Sequence, residues 1–239
     1  MIDRYTKNGI LDPAEQKSLA RKKVAVIGCG GLGGYLIEML GRLGVRHIHA
    51  CDGDRFSVSN LNRQLLATED NLGKNKAEAA AIRMKSVNSE VSVRPFAEYL
   101  SPENAARIFD GCDLAVDALD SPWAKCMLEE LCETFRLPLV HGAVGGWFGQ
   151  VCTVMPGDRT LHKLYQNTNR EDQQEAEKIG NPAFTPAAVA AVQVSEALKI
   201  LLDKESVLRN EVLFLDLYCG ETRKIKIEKA DAEAECRKA

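Results

Sequence analysis

The 239-residue chain contains no C-x-x-C pair, no internal repeat and no low-complexity tract. Eight cysteines are present, but without framework spacing they read as reduced thiols of a cytoplasmic protein rather than as a disulfide scaffold. The opening residues Met1-Ile2-Asp3-Arg4 are polar and lack the apolar stretch of a signal peptide, so none is expected. No apolar run approaches the roughly 20 residues that span a bilayer, which argues against a membrane segment. Basic residues are not in excess. The 31 Lys and Arg against 34 Asp and Glu leave a net charge of −3, so nucleic acid is not the expected partner.

What remains is a globular composition, 45% apolar and 27% charged, at a length that suits one domain over residues 1–239. Residues 1–20 read as a polar N-terminal arm with a short helix. The apolar run 23–27 ends in glycines and suits a buried parallel strand. The region 33–43 carries Leu36, Ile37, Leu40 and Leu43 on one helical face. A strand over 47–51, a long loop over 55–73, a helix over 74–87 and a short strand over 91–95 follow. Ser101-Pro102-Glu103 starts a helix, 114–117 is a strand, 122–135 a helix and 137–141 the next strand. This alternation predicts a Rossmann-like α/β fold, a mostly parallel sheet with helices on both faces. A strand over 149–155, a mobile crossover loop over 158–184, a helix over 185–202 and two strands over 212–218 and 222–227 complete the chain as an antiparallel C-terminal addition.

Gly28-Cys29-Gly30-Gly31-Leu32-Gly33 fits G-x-G-x-x-G between a predicted strand and a predicted helix, the context a phosphate loop requires. Glycine lets the backbone approach a phosphate, and the helix N-terminus offers unpaired N–H groups. Asp52 closes the second strand, where a carboxylate can accept both ribose hydroxyls. The loop and the acid together indicate a nucleotide but do not separate ATP from NAD.

Three further segments favour ATP. Asn60-Leu61-Asn62-Arg63-Gln64 follows Asp52, Lys76 lies in Gly73-Lys74-Asn75-Lys76, and Asp117-Ala118-Leu119-Asp120 ends a later strand. The carboxyl ends of neighbouring strands face one crevice in an open α/β sheet, so Asp52, Arg63, Lys76 and Asp120 are expected to converge there. Transfer of AMP to a carboxylate builds charge on phosphate oxygens, which fixed cations stabilise while a carboxylate holds magnesium. Taken singly these residues read differently: Arg63 and Lys76 as solvated charges, Asn60 as a turn former, Asp120 as the N-cap of the helix at Pro122.

With these residues the chain resembles the MoeB, ThiF and HesA family, bacterial relatives of ubiquitin-activating enzymes. The run Gln193-Val194-Ser195-Glu196-Ala197-Leu198-Lys199 is similar to that family's C-terminal helix. The resemblance implies an ATP- and Mg2+-dependent adenylyltransferase. Gly28, Gly30, Gly31, Gly33, Asp52, Asp54, Asn60, Gln64 and Leu119 would surround the nucleotide, and Arg63, Lys76 and Asp120 would act in catalysis, Asp120 on magnesium. It implies as partner a ubiquitin-like sulfur-carrier protein ending in Gly-Gly. It also implies a homodimer whose N-terminal arm, here Arg4 and Lys7, reaches the partner's site.

Departures from the family pattern limit the transfer. The segment Leu161-His162-Lys163-Leu164-Tyr165 has no cysteine, and Cys236 alone cannot build a tetrahedral site, so no structural zinc is expected and His162 reads as a surface residue. Residues 158–184 contain no cysteine for a covalent step. Cys29 and Cys152 read as packed, and Cys219 as exposed. Lys7 stands where the arm's arginine is usual. Gly142, Gly145 and Gly146, with Trp147 and Phe148, read either as a groove for an extended Gly-Gly tail or as a plain connection. Competing readings are a tRNA threonylcarbamoyladenosine dehydratase-like enzyme, a non-catalytic partner subunit and an NAD oxidoreductase.

Overall fold

A computed structural model describes residues 4–166 and 179–227. The strands are β1 (Lys23–Ile27), β2 (His47–Cys51), β3 (Ser92–Phe96), β4 (Leu114–Asp117), β5 (Leu139–Gly145), β6 (Phe148–Val154), β7 (Glu211–Asp216) and β8 (Glu221–Lys226). The helices are α1 (Pro13–Leu19), α2 (Gly31–Leu43), α3 (Lys76–Val87), α4 (Pro102–Ile108), α5 (Pro122–Thr134), α6 (Thr160–Tyr165) and α7 (Phe184–Leu201). All eight strands join one sheet in the order β3-β2-β1-β4-β5-β6-β7-β8. The first five run parallel, and β6, β7 and β8 add antiparallel.

The run Lys23-Val24-Ala25-Val26-Ile27 shows why the sheet is covered on both sides. Successive side chains alternate faces, and both faces are apolar. Val24 and Val26 pack with Leu36, Ile37 and Leu40 of α2 and Val189, Val194 and Ala197 of α7. Ala25 and Ile27 pack with Ile108 of α4, Leu128 and Leu131 of α5 and Leu161 of α6. Strand order reverses between β1 and β4, which leaves a crevice at their carboxyl ends. By length and composition α7 is apolar enough to cross a membrane, but half of it is buried in this core.

Three expectations need correction. The 55–73 segment contains single 3-10 turns at Val58–Asn60 and Glu69–Asn71. The strand expected over 137–141 runs on to Gly145, so Gly142 and Gly145 lie within β5, and Gly146-Trp147 turns the chain into β6. Within the expected loop over 158–184, Thr160–Tyr165 is helical. Its N-cap, Arg159, has φ 54° and no side-chain cap, so no local signal marked it. The cap comes from a distant residue. Glu129 of α5 accepts the N–H groups of Leu161 at 2.8 Å and His162 at 3.0 Å. Residues 167–178 of that expected loop, and Cys236, lie outside the described residues.

Candidate active site

The turn from β1 into α2 is closed by contacts that only glycine permits. A Cβ on Gly28, at φ 94°, would lie 2.5 Å from the Ala118 carbonyl oxygen, and one on Gly33 would lie 1.9 Å from the Gly28 oxygen. The loop is thereby seated against the turn that follows β4. Gly30 is the α2 N-cap without a side-chain bond, and Gly30, Gly31 and Leu32 line a cleft of about 620 Å3. The first N–H groups of α2 thus border open space that suits an anion.

Asp52 is pre-set by backbone donors. Its Oδ2 accepts the Cys29 N–H at 2.7 Å and its Oδ1 accepts the Asp54 N–H at 2.8 Å. Burial pushes its carboxyl above the usual carboxylate range, opposed by those two bonds and by Lys76. An ionised carboxylate has about four acceptor positions, so two remain for ribose hydroxyls. Asn75 caps α3 through the Glu78 N–H at 3.1 Å and donates to the Asp52 carbonyl at 2.8 Å. That double grip places Lys76, 7% exposed, with Nζ 2.9 Å from Asp54 Oδ2. The Tyr99 hydroxyl also donates to Asp54, and these two partners hold the Asp54 carboxyl below its ordinary value.

Arg63 lines the cleft and donates through Nη1 to the Ser59 carbonyl and to Asn62 Oδ1, both at 2.9 Å. Gln64 lines it beside Gly30 and keeps a buried amide oxygen with no partner among the described residues, as does Asn181. Such atoms are what a bound ligand satisfies. Asp120 also lines the cleft and is exposed. It does not cap α5: the Ser121 hydroxyl takes the Ala124 N–H at 3.2 Å. Among the described residues the Asp120 carboxylate therefore has no partner and is open to a ligand.

The cleft thus brings together Gly28, Gly30, Gly31, Asp52, Asp54, Arg63, Gln64, Lys76, Leu119 and Asp120. Two expected residues lie outside its wall. Gly33 packs on the loop itself. Asn60 is 8% exposed, and its Oδ1 accepts the Ser57 N–H at 3.0 Å, so it shapes the 3-10 turn that delivers Arg63 and Gln64. Arg4 and Lys7 are also absent from the wall. The Arg4 guanidinium bonds Asn88 at the C-terminus of α3, and Lys7 is exposed. His162 is more than a surface residue: it joins Glu129 at 2.6 Å and Glu130 at 2.9 Å, which docks α6 on α5. Burial pushes the Cys29 thiol well up, so the loop cysteine is packed rather than activated.

Sequence reasoning missed five side chains. Tyr99 and Trp123, 68% and 72% exposed, stand at the rim of the cleft. Lys125 reaches its floor from α5. Below lie His141 and Tyr165, with the tyrosine hydroxyl 3.2 Å from His141 Nε2. A lone histidine in the apolar run Leu137-Pro138-Leu139-Val140-His141 was the available signal, since a buried imidazole needs partners.

The sheet order, and a glycine-rich loop facing the Asp52 carboxylate at the strand-order reversal, are those of the doubly wound α/β class, in which nucleotides bind at that point. The cations and free carboxylate on the same cleft suit phosphate chemistry. The ThiF family profile matches residues 3–238, and the chain belongs to the ThiF family. Among similar proteins, the SAMP-activating enzyme E1 of Haloferax volcanii is 33% identical over 90% of this chain and 81% of its own length. The sulfur carrier protein adenylyltransferase of Thermus thermophilus is 31% identical over 95% and 88%. The sulfur carrier protein ThiS adenylyltransferase of Bacillus subtilis is 32% identical over 95% and 68%. Among solved structures, E. coli MccB with ATP superimposes with a TM-score of 0.82 at 21% identity, over 97% of this chain and 73% of that one, a likeness of fold.

Proposed function

We propose that this chain, an adenylyltransferase, transfers AMP from ATP to the C-terminal carboxylate of a ubiquitin-like sulfur carrier ending in Gly-Gly. The single observation that carries the reading is the meeting of Arg63, Lys76 and Asp120 on the cleft that holds the glycine loop and Asp52. The adenylyltransferases and activating enzyme among its relatives support it.

In this reading Asp52 takes the ribose and the α2 N-terminus faces the phosphates. A carrier carboxylate oxygen attacks the α-phosphorus, the bond to the bridging oxygen breaks, and pyrophosphate leaves with that electron pair. Arg63 and Lys76 stabilise the charge growing on the phosphate oxygens, Lys76 turning from Asp54 to do so. The donor chemistry fits a magnesium ion, which one or two carboxylates and the phosphates usually share. Asp120, with Asp54 near Lys76, would hold it, and the ion would neutralise phosphate charge. The reading includes a cytoplasmic homodimer in which the arm, through exposed Lys7, reaches a neighbouring cleft.

The test is exchange of labelled pyrophosphate into ATP in the presence of purified ubiquitin-fold carriers ending in Gly-Gly. Exchange should need the intact Gly-Gly tail and should fall about 100-fold or more in Asp120→Ala. Binding of NAD in place of ATP, or undiminished exchange by Asp120→Ala, would end the proposal.

A further inference from the structure

Beneath Asp120 lies a charged cluster that the chemistry above does not use. Asp117, at the end of β4, is 0% exposed, Lys125 is 2% and His141 is 0%. The Asp117 carboxylate divides its partners between its two oxygens. Oδ1 accepts the Leu119 N–H at 2.9 Å. Oδ2 accepts from Lys125 Nζ at 2.9 Å and lies 2.6 Å from His141 Nδ1. Lys125 also donates to the Gly142 carbonyl at 2.9 Å, so α5 is pinned to both β4 and β5.

A buried ion pair stabilises a fold poorly, because desolvation offsets its attraction. Its use here follows from where the other oxygen goes. The bond to Leu119 closes a turn over residues 117–119, and the Ala118 N–H is tied to the Ile27 carbonyl at 2.8 Å. Asp120 is the next residue, and among the described residues its carboxylate has no hydrogen bond or ion pair to orient it. Its direction is therefore set by the turn, and the turn by Asp117.

We propose that Lys125 and His141 are positioning residues for the adenylation site: by clamping Asp117 they fix the turn that aims the Asp120 carboxylate at the magnesium–nucleotide complex. His141 donates from Nδ1 to the carboxylate while its Nε2 accepts from the Tyr165 hydroxyl, which makes α6 the outer brace of the clamp. The inference rests on the proposed role of Asp120 and extends it to side chains that need not touch the nucleotide.

The experiment measures ATP affinity by calorimetry with excess EDTA and with Mg2+, for the unaltered protein, Asp120→Ala, Lys125→Met, Lys125→Arg and His141→Gln. Amide exchange at Leu119 is followed in the same proteins. Loss of a carboxylate's supporting partner typically weakens a metal site about 10- to 100-fold. The gain in affinity from Mg2+ should fall by about tenfold in Lys125→Met and His141→Gln, with metal-free affinity within about twofold. Leu119 exchange should quicken in both, and Lys125→Arg should keep the gain.

An unchanged Mg2+ gain in folded Lys125→Met overturns the positioning role, as does a parallel loss of metal-free affinity, which a merely structural role would give. Should Lys125→Met not fold, His141→Gln decides by the same criteria. A full Mg2+ gain in Asp120→Ala overturns the metal assignment, and this inference with it. A gain lost in Asp120→Ala but kept in the clamp variants ends the inference alone.

Discussion

Glu38 of α2 shows how a single carboxylate fastens two helices. Although 7% exposed, it takes Arg42 at 2.8 Å within α2 and Arg83 of α3 at 3.0 Å. Burial alone would raise its pKa, but Arg83 and then Arg42 outweigh that and hold it below the ordinary value of 4.5. A depressed folded value means stability that is complete above the unfolded pKa and is lost as pH falls through the folded one. Glu38→Gln should therefore cost about 1 kcal/mol in urea unfolding near neutral pH, where both arginines are about half exposed and screened. The gap should narrow as pH falls below the ordinary value of 4.5 and vanish once pH has passed below the lower folded value. At Gly33 the constraint is steric. With its Cβ destined for 1.9 Å from a carbonyl oxygen, Gly33→Ala should cost about 3 kcal/mol and abolish nucleotide binding, as read by urea titration and calorimetry.

Among the elements, the strands were the most legible. β1 and β2 fall on their expected ranges because runs such as Lys23-Val24-Ala25-Val26-Ile27 suit only a sheet covered on both faces. α6 was illegible because its cap is supplied 32 residues earlier in the chain, by Glu129. Glu129→Ala should leave those N–H groups unpaired and cost about 2 kcal/mol. Amide exchange over Thr160–Tyr165 should accelerate more than that of β1. Unchanged exchange in α6 would show that its packing, through Leu161, suffices without the cap. The antiparallel addition was readable as strands, but not the extension of β5 through Gly145, since its glycines looked like a loop.

For the whole molecule, the thiols separate by depth. Burial pushes Cys51 up to about 12, and raises Cys132 and Cys152 further, while Cys219 is exposed. Alkylation of the native protein near pH 7.5 should label Cys219 well before these three among the described cysteines, as peptide mass spectrometry would read. Equal labelling would mean that the core opens readily. Most of the cleft was legible because its residues sit at the ends of elements whose order could be read: Gly28, Asp52, Lys76 and Asp120 follow or open predicted strands and helices. The clamp of Asp117, Lys125 and His141 was not, because it is assembled from β4, α5 and β5, and sequence spacing does not encode contacts between distant elements. The placement of the cleft between β1 and β4 carries a mechanical consequence. Those two strands are neighbours in a continuous parallel ladder, paired from Val24 with Leu114 to Ile27 with Asp117. The base of the site cannot hinge without rupturing the sheet, so adjustment to an incoming ligand falls to side chains: Lys76 inside the cleft, and Tyr99 and Trp123 at its rim. Such a site keeps its backbone framework rigid while individual side chains swing, so the precision of its floor and the adaptability of its walls are carried by different parts of the chain.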